Sequence, residues 1–206
     1  MPQNQQIMID HNPMQHFQKW FYEADELYKE LEPNAMSLTT IGVDNYPKSR
    51  MVLLKKYTWE GFIFFTNYES DKGLAITLNP EVYLLFNWTN SGRMIQVSGK
   101  AFKISKALSS NYFDLRPRDS KLGAWVSQQS QVIASRRVLE NDFLKYENQF
   151  KNKEVPKPEF WGGYLIKPTE FHFHQTQDQE FRCQESYYLK EDYSWSKDTQ
   201  IRLKTY

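Results

Sequence analysis

Between residues 35 and 104 the chain is a succession of short apolar runs cut by turn signals. Runs 36–43, 50–57, 62–66, 82–88 and 94–104 carry the β-branched and aromatic residues that suit a pleated surface. Asp44-Asn45-Tyr46-Pro47, Trp59-Glu60-Gly61 and Thr89-Asn90-Ser91-Gly92 break them as turns, the first of these as a hairpin. Strands this short cannot bury their apolar faces singly, so they must join in a sheet that curls or is covered. Strand character resumes at 161–166, 170–175, 182–190 and 200–203.

Helical spacing is confined to a few segments. Phe17, Trp20, Phe21, Ala24, Leu27, Tyr28 and Leu31 recur at that spacing after Asn12-Pro13, and Glu32-Pro33-Asn34 is expected to end the helix. Shorter helices are expected at 72–78, 106–115 and 121–127. A longer one at 135–150 has Val138, Phe143, Leu144 and Phe150 as its inner face. Residues 155–158 read as an extended connector. The pattern is mainly β with α: a β-barrel decorated by helices. Residues 13–206 are expected to form one domain, after a flexible arm at 1–12.

Charge excludes some functions. With 26 basic and 25 acidic side chains the net charge is +1, so a general nucleic-acid binder is not expected and any anion site must be a local cluster. Cys183 is the sole cysteine, which rules out an internal disulfide or a Cys-rich zinc site; it suits a buried place in a strand. His172 and His174 share a strand face, but no third ligand cluster stands near them in sequence, so no metal is expected. No run approaches the roughly 20 apolar residues of a membrane span, and no P-loop, G-x-S-x-G or G-x-G-x-x-G motif occurs. A soluble, cytoplasmic protein without membrane or nucleic-acid partners is expected.

Two segments carry chemistry. Arg116-Pro117-Arg118-Asp119-Ser120-Lys121-Leu122-Gly123-Ala124-Trp125-Val126-Ser127-Gln128-Gln129-Ser130 gathers two arginine forks, hydroxyls and amides, which suit phosphate oxygens. Alone it reads equally as a solvated basic turn before an amphipathic helix. In Arg50-Met51-Val52-Leu53-Leu54-Lys55, alternation sets Arg50, Val52 and Leu54 against Met51, Leu53 and Lys55. Alone it suits a barrel strand whose terminal charges reach water, as Tyr112 alone suits a core.

Together with Phe65-Thr66, Ser70-Asp71-Lys72 and Phe160-Trp161-Gly162-Gly163, in this order, the two segments resemble the pyridoxamine 5′-phosphate oxidase family. The likeness runs from about residue 17 to 203 and implies an FMN-binding split β-barrel, dimeric, with flavin at the interface of a homodimer. Carried over residue by residue, it implies FMN contacts at Arg50, Met51, Val52, Leu53, Leu54, Lys55, Phe65, Thr66, Ser70, Lys72, Gln129 and Ser130. Val52, Leu53 and Trp125 would wall the flavin's apolar edge. Lys55, Tyr112, Arg116 and Ser120 would hold the phosphate of a phosphorylated pyridine substrate, Tyr112 and Arg116 being four apart on one helix face. Arg182 would lie against the substrate ring as the catalytic residue. The glycines of the Phe160 run would let strand and helix backbones approach. The reaction implied is oxidation of pyridoxamine or pyridoxine 5′-phosphate to pyridoxal 5′-phosphate by dioxygen, with release of hydrogen peroxide. The alternatives are a split-barrel oxidase of another metabolite, of the phenazine-precursor type, and a non-catalytic binder of pyridoxal phosphate or flavin.

The chain departs from the family at five positions: Asp71, Met94, His174, Gln184 and Ser186. A carboxylate about 4 Å from a phosphate costs on the order of 4 kcal/mol, so Asp71 must turn away, pair with a cation or weaken FMN binding. The family's R-x-H-x-R is here Arg182-Cys183-Gln184-Glu185-Ser186, without the histidine and the second arginine. The loop before it reads as about two residues longer than the family's, and a basic N-terminal arm found in some members is not evident.

Overall fold

The computed structural model describes residues 12–127, 129–130, 132–176 and 181–203. The expected arm, apart from Asn12, and most of the loop before Arg182 lie outside them. Helix α1 (Pro13–Glu26) is followed by strands β1 (Ala35–Ile41), β2 (Pro47–Leu53), β3 (Lys56–Thr58) and β4 (Gly61–Asn67). Helix α2 (Asp71–Leu78) leads to β5 (Glu81–Trp88) and β6 (Arg93–Lys103). Helices α3 (Lys106–Asp114), α4 (Arg118–Val126) and α5 (Arg136–Gln149) precede β7 (Trp161–Thr176), β8 (Phe181–Leu189) and β9 (Trp195–Leu203). No described helix is long and apolar enough to cross a membrane.

The nine strands among the described residues form one antiparallel sheet, ordered β2-β1-β5-β6-β7-β4-β3, with β8 on β7 and β9 on β8. β7 is the spine. Its first half pairs with β4, its second half with β8, and both halves pair with β6 on the other side. The ladder shifts register at Ser98/Gly99, opposite Pro168, whose missing N–H suits a bulge. The expected strands 161–166 and 170–175 are thus one bulged strand.

The expected strand 50–57 is instead two. β2 pairs with β1, and at Leu54-Lys55 the chain crosses to pair with β4 as β3. Leu54 N donates to Asn34 O and Lys55 N to Ile63 O, at 2.8 and 2.9 Å. The two ends of the sheet order are therefore joined by two residues, and the sheet curls into a half-barrel.

α1 fills the curl. Asn12 caps it by accepting from Met14 N at 2.9 Å, and Pro13 occupies the first turn where its missing N–H is harmless. Phe17 is fully buried among Tyr57, Phe62, Phe86 and Trp88. Leu27, Tyr28 and Leu31 keep the helical spacing but not the helix. Lys29 has φ 51°, and Asn90 donates to Tyr28 O and Lys29 O while Ser91 donates to Glu30. The β5–β6 turn captures this segment, leaving Leu31 exposed. Of the expected inner face of the 135–150 helix, Phe143 and Phe150 join a cluster with Leu122 and Val155, whereas Val138 and Leu144 are exposed, because α5 rests on α4 along one line.

Arg93, unremarked in the sequence, pins α1 to β6. It pairs with Glu23, and its guanidinium carbon stands 4.6 and 5.1 Å from the ring centres of Trp20 and Tyr28. Arg93 is 7% exposed. Removing one partner of a buried pair strands the other, so Arg93→Ala is expected to cost about 3 kcal/mol in urea unfolding. A cost below about 1 kcal/mol would mean that α1 is held by its apolar face alone.

Candidate active site

The seam between β2 and β4 positions the first group. Arg50 on β2 donates through Nη1 to Leu38 O at 3.1 Å and Thr40 Oγ1 at 2.8 Å. Ser70 caps α2: it accepts from Gly73 N, donates to Asn67 O, and is fully buried. Lys72, 6% exposed, donates through Nζ to Thr66 Oγ1 and Ser70 Oγ, both at 3.2 Å. Its third N–H has no protein partner among the described residues.

Burial, and next the nearby Arg50 charge, push Lys72 down to about 8, with Asp71 opposing. Burial likewise lowers Arg50, and Asp71 opposes that too. Asp71 is exposed and forms no ion pair within 4 Å of either cation; it stands in the first turn of α2, where a carboxylate favours the helix dipole. Gln129 and Ser130 fold back onto this patch. Thr66 Oγ1 donates to Gln129 Oε1 at 3.0 Å, and Asp71 N to Ser130 Oγ at 3.2 Å. A cavity of about 570 Å³ lined by Val126, Ile133, Leu139 and Phe143 opens beside the pair.

The second group lies on the other face of β4. Successive strand residues project oppositely, so Phe65 points away from Thr66. Its ring stacks on Tyr112 at 3.9 Å and on Trp161 at 5.2 Å. Arg116 covers Trp161 at 4.8 Å, and its Nη1 is buried with no hydrogen-bond partner. Burial lowers the Arg116 pKa, opposed by Tyr112. Contrary to expectation, Arg116 is not on the helix of Tyr112. α3 stops at Asp114, and Arg116 N donates to Phe113 O in the turn that follows. Lys55 is exposed on the seam and Ser120 half-exposed in α4; neither side chain bonds to Tyr112 or Arg116.

Other expected residues have structural posts. Arg118 donates to Lys153 O and Phe150 O. Trp125 packs on Tyr146 and Phe150 and donates to Pro156 O, apart from Val52, which joins the main core, and Leu53, which is 39% exposed. Met51 is exposed and Leu54 buried. Gly162 and Gly163 make room for side chains rather than for a helix backbone: a Cβ on either would overlap the Tyr68 hydroxyl or Ile104 and Phe65. Cys183 is half-buried on β8.

Arg182 belongs to a third group. It lines a cavity of about 220 Å³ with Met94, His174 and Thr176. His174 Nε2 is 3.1 Å from Gln96 Oε1. On the same sheet face His172, Glu170, Gln184 and Ser186 form a hydrogen-bonded set, which sequence reading weighed only as a histidine pair. The signal was there: Glu170-x-His172 places both on one face. Thr66 pairs with Gly162 and Arg182 with Thr176, fourteen residues apart on β7. That is about 45 Å of strand path. Along the strand, most of β7 thus separates Arg182 from the other two groups.

Comparison with known proteins agrees with this geometry. Residues 23–150 match the family model described as pyridoxamine 5′-phosphate oxidase. A pyridoxine/pyridoxamine 5′-phosphate oxidase of Flavobacterium johnsoniae is 47% identical over 188 residues, covering 91% of this chain and 88% of that protein. One of Aliarcobacter butzleri is 48% identical over the same length and the same shares of both chains. Among solved structures, PhzG from Burkholderia lata in complex with tetrahydrophenazine-1-carboxylic acid superposes with TM-score 0.88 at 22% identity, covering 95% of each chain. A pyridoxamine 5′-phosphate oxidase-related, FMN binding protein from Nostoc punctiforme gives 0.72 at 12% identity, covering 90% of this chain and 95% of that one. These two likenesses establish the split-barrel fold. With the family model and relatives of this identity over nine-tenths of its length, the chain belongs to the pyridoxamine 5′-phosphate oxidase family of oxidoreductases.

Proposed function

We propose that this protein is an FMN-dependent oxidase that converts pyridoxamine 5′-phosphate or pyridoxine 5′-phosphate to pyridoxal 5′-phosphate. It works as a homodimer with flavin between the subunits. One observation carries the reading: two under-neutralised cation groups stand back to back across β4, Arg50 with Lys72 and Arg116 with its aromatic stack. Buried cations without acidic partners are costly unless an anion joins them. Two separate anion sites suit a reaction in which cofactor and substrate each carry a phosphate.

The residues divide the work accordingly. Lys72 and Arg50 hold the FMN phosphate, with Ser70, Thr66, Gln129 and Ser130 as hydroxyl and amide partners. Val52 and the β2 backbone from Arg50 to Lys55 support the ring along the seam, with Met51, Leu53 and Leu54 fixing the strand. Arg116 and Tyr112 receive the substrate phosphate, with Lys55 and Ser120 reaching in from the seam and from α4. Phe65 keeps that pocket dry. Arg182 comes from the second copy and orients the substrate ring. Bound FMN would supply the redox chemistry, carrying two electrons from the substrate to dioxygen, which leaves as hydrogen peroxide; with the amine substrate, water hydrolyses the resulting imine and ammonia is released. Positioning carries the protein's share of the catalysis.

The phenazine-precursor alternative draws on Gln184 and Ser186, which break the family motif. The Arg116 group speaks for a phosphorylated substrate instead. A non-catalytic binder would bind pyridoxal phosphate or flavin without turnover, whereas protein reconstituted with FMN should turn over pyridoxamine 5′-phosphate.

Arg116→Ala is expected to weaken pyridoxamine 5′-phosphate binding by about 2–3 kcal/mol, roughly 30- to 150-fold, with FMN content unchanged. Because Nη1 is orphaned, the ligand-free variant should be no less stable than its parent. Unaltered substrate affinity at saturating FMN would remove Arg116 from the site.

Lys72 gives FMN binding a pH signature. Its pKa in the free protein is about 8, and a bound phosphate must raise it. Affinity is therefore flat below pH 8 and falls above it, by up to about tenfold per pH unit. Fluorescence titration of FMN from pH 7 to 9.5 measures this, and Lys72→Arg should flatten the decline. A flat parent curve would place the phosphate elsewhere.

A further inference from the structure

On the sheet face turned from the core, β7 and β8 carry four side chains bonded in series. His172 Nε2 is 2.9 Å from Glu170 Oε1, and its Nδ1 is 2.8 Å from Ser186 Oγ. Gln184 Nε2 donates to Ser186 Oγ at 3.0 Å and stands 3.3 Å from His172 Nδ1. Ser98 Oγ donates to Glu170 Oε2 at 3.2 Å. Register accounts for the set: His172 faces Ser186 and His174 faces Gln184, so alternate residues of both strands share a face. Ser186 is 2% exposed, while the His172 side chain keeps 20%.

The proton inventory shows what the set can do. A neutral His172 donates from Nε2 to Glu170 and accepts the Ser186 hydroxyl proton at Nδ1. A protonated His172 keeps the Glu170 bond, now charge-assisted, and donates from Nδ1 to Ser186 Oγ, whose second lone pair still takes Gln184. Both states are bonded throughout, so the ring can change charge without breaking the set. The other ionisable groups facing it are His174 and Tyr188, with ring centres 6.3 and 5.9 Å away, and Tyr83 on β5, whose pKa burial and then the Glu170 charge raise. β6 presents Gln96 and Ser98, and the β9 residue in register with Ser186 is Asp198, which accepts from Gln200 Nε2.

We propose that His172, held between Glu170 and Ser186, is the reversible cation of the Arg182 end, binding a proton from solvent when the cofactor gains two electrons and returning it when dioxygen removes them. This rests on the reading above, in which the Arg182 end meets the flavin of a second copy. Ser186 cannot supply a fixed charge there, and the set built around it supplies a titrating one. The electrons come from the substrate C–H bond, so His172 acts only on charge. It is a positioning residue for electrostatics and touches no reacting atom in this account.

The test is the midpoint potential of FMN-loaded protein from pH 6 to 9, for the parent and His172→Gln. A cation favours the reduced cofactor, so the variant should have the lower potential at pH 6. The expected deficit is about tenfold in the ratio of reduced to oxidised binding constants, or about 30 mV for a two-electron couple. The two curves should converge as the pH rises to 9. His172→Gln with Ser186→Arg should regain the potential and lose its added pH dependence. If the parent and the single variant give superimposable curves while both bind FMN, His172 has no such role. If the parent binds no FMN, the underlying reading fails instead. Unfolding of the single variant checks that its fold is intact, and Glu170→Gln gives an independent lesion in the same set with the same expected sign.

Discussion

The two-residue seam at Leu54-Lys55 governs the architecture. β2 and β3 end the sheet order on opposite sides, yet three peptide units join them, so the edges cannot lie more than about 11 Å apart. Curling follows from connectivity, and α1 fills the concave side with Phe17 and Trp20. The same seam delivers Arg50 to α2, whose N-terminal turn holds Lys72. Two cations thus meet because strand order leaves them nowhere else to go.

Meeting has an electrostatic cost. Burial and mutual repulsion bring Lys72 down to about 8, and Asp71, exposed and not paired, relieves this only in part. Across β4 a second cation, Arg116, is half-buried, with its Nη1 enclosed and unmet. Strain of this sort against the charged state is common at functional sites, where an incoming anion removes it. Here it occurs twice, on opposite faces of one strand, and that duplication is what the proposed pair of phosphate sites rests on.

Much of this was legible in the sequence. Most strand and helix positions follow from apolar periodicity, and the hydrogen bonds draw together Thr66, Ser70, Lys72, Gln129 and Ser130, residues that the family resemblance had grouped. What escaped is what depends on partners far along the chain. Leu27 to Leu31 keep helical spacing, but the β5–β6 turn outcompetes the helix for their carbonyls. The run from Arg50 to Tyr57 is uniformly strand-like, so no local signal marks the change of partner at Leu54. Tyr112 and Arg116 have helical spacing, but the helix stops between them. Glu170, His172 and Ser186 become one unit only through the β7–β8 register, which sequence spacing alone does not set.

The central claim is that the site is divided: one chain brings the seam and the Arg116 group, and another brings Arg182. Complementation between variants tests it directly. Arg116→Ala and Arg182→Ala, assayed at a substrate concentration low enough that each is nearly inactive alone, should regain activity when unfolded together and refolded as a mixture. Statistical pairing makes about half the dimers hybrid, each with one intact site, so about a quarter of parental activity is expected. A mixture no more active than its components would mean that Arg116 and Arg182 serve a site within one chain, and would contradict the account.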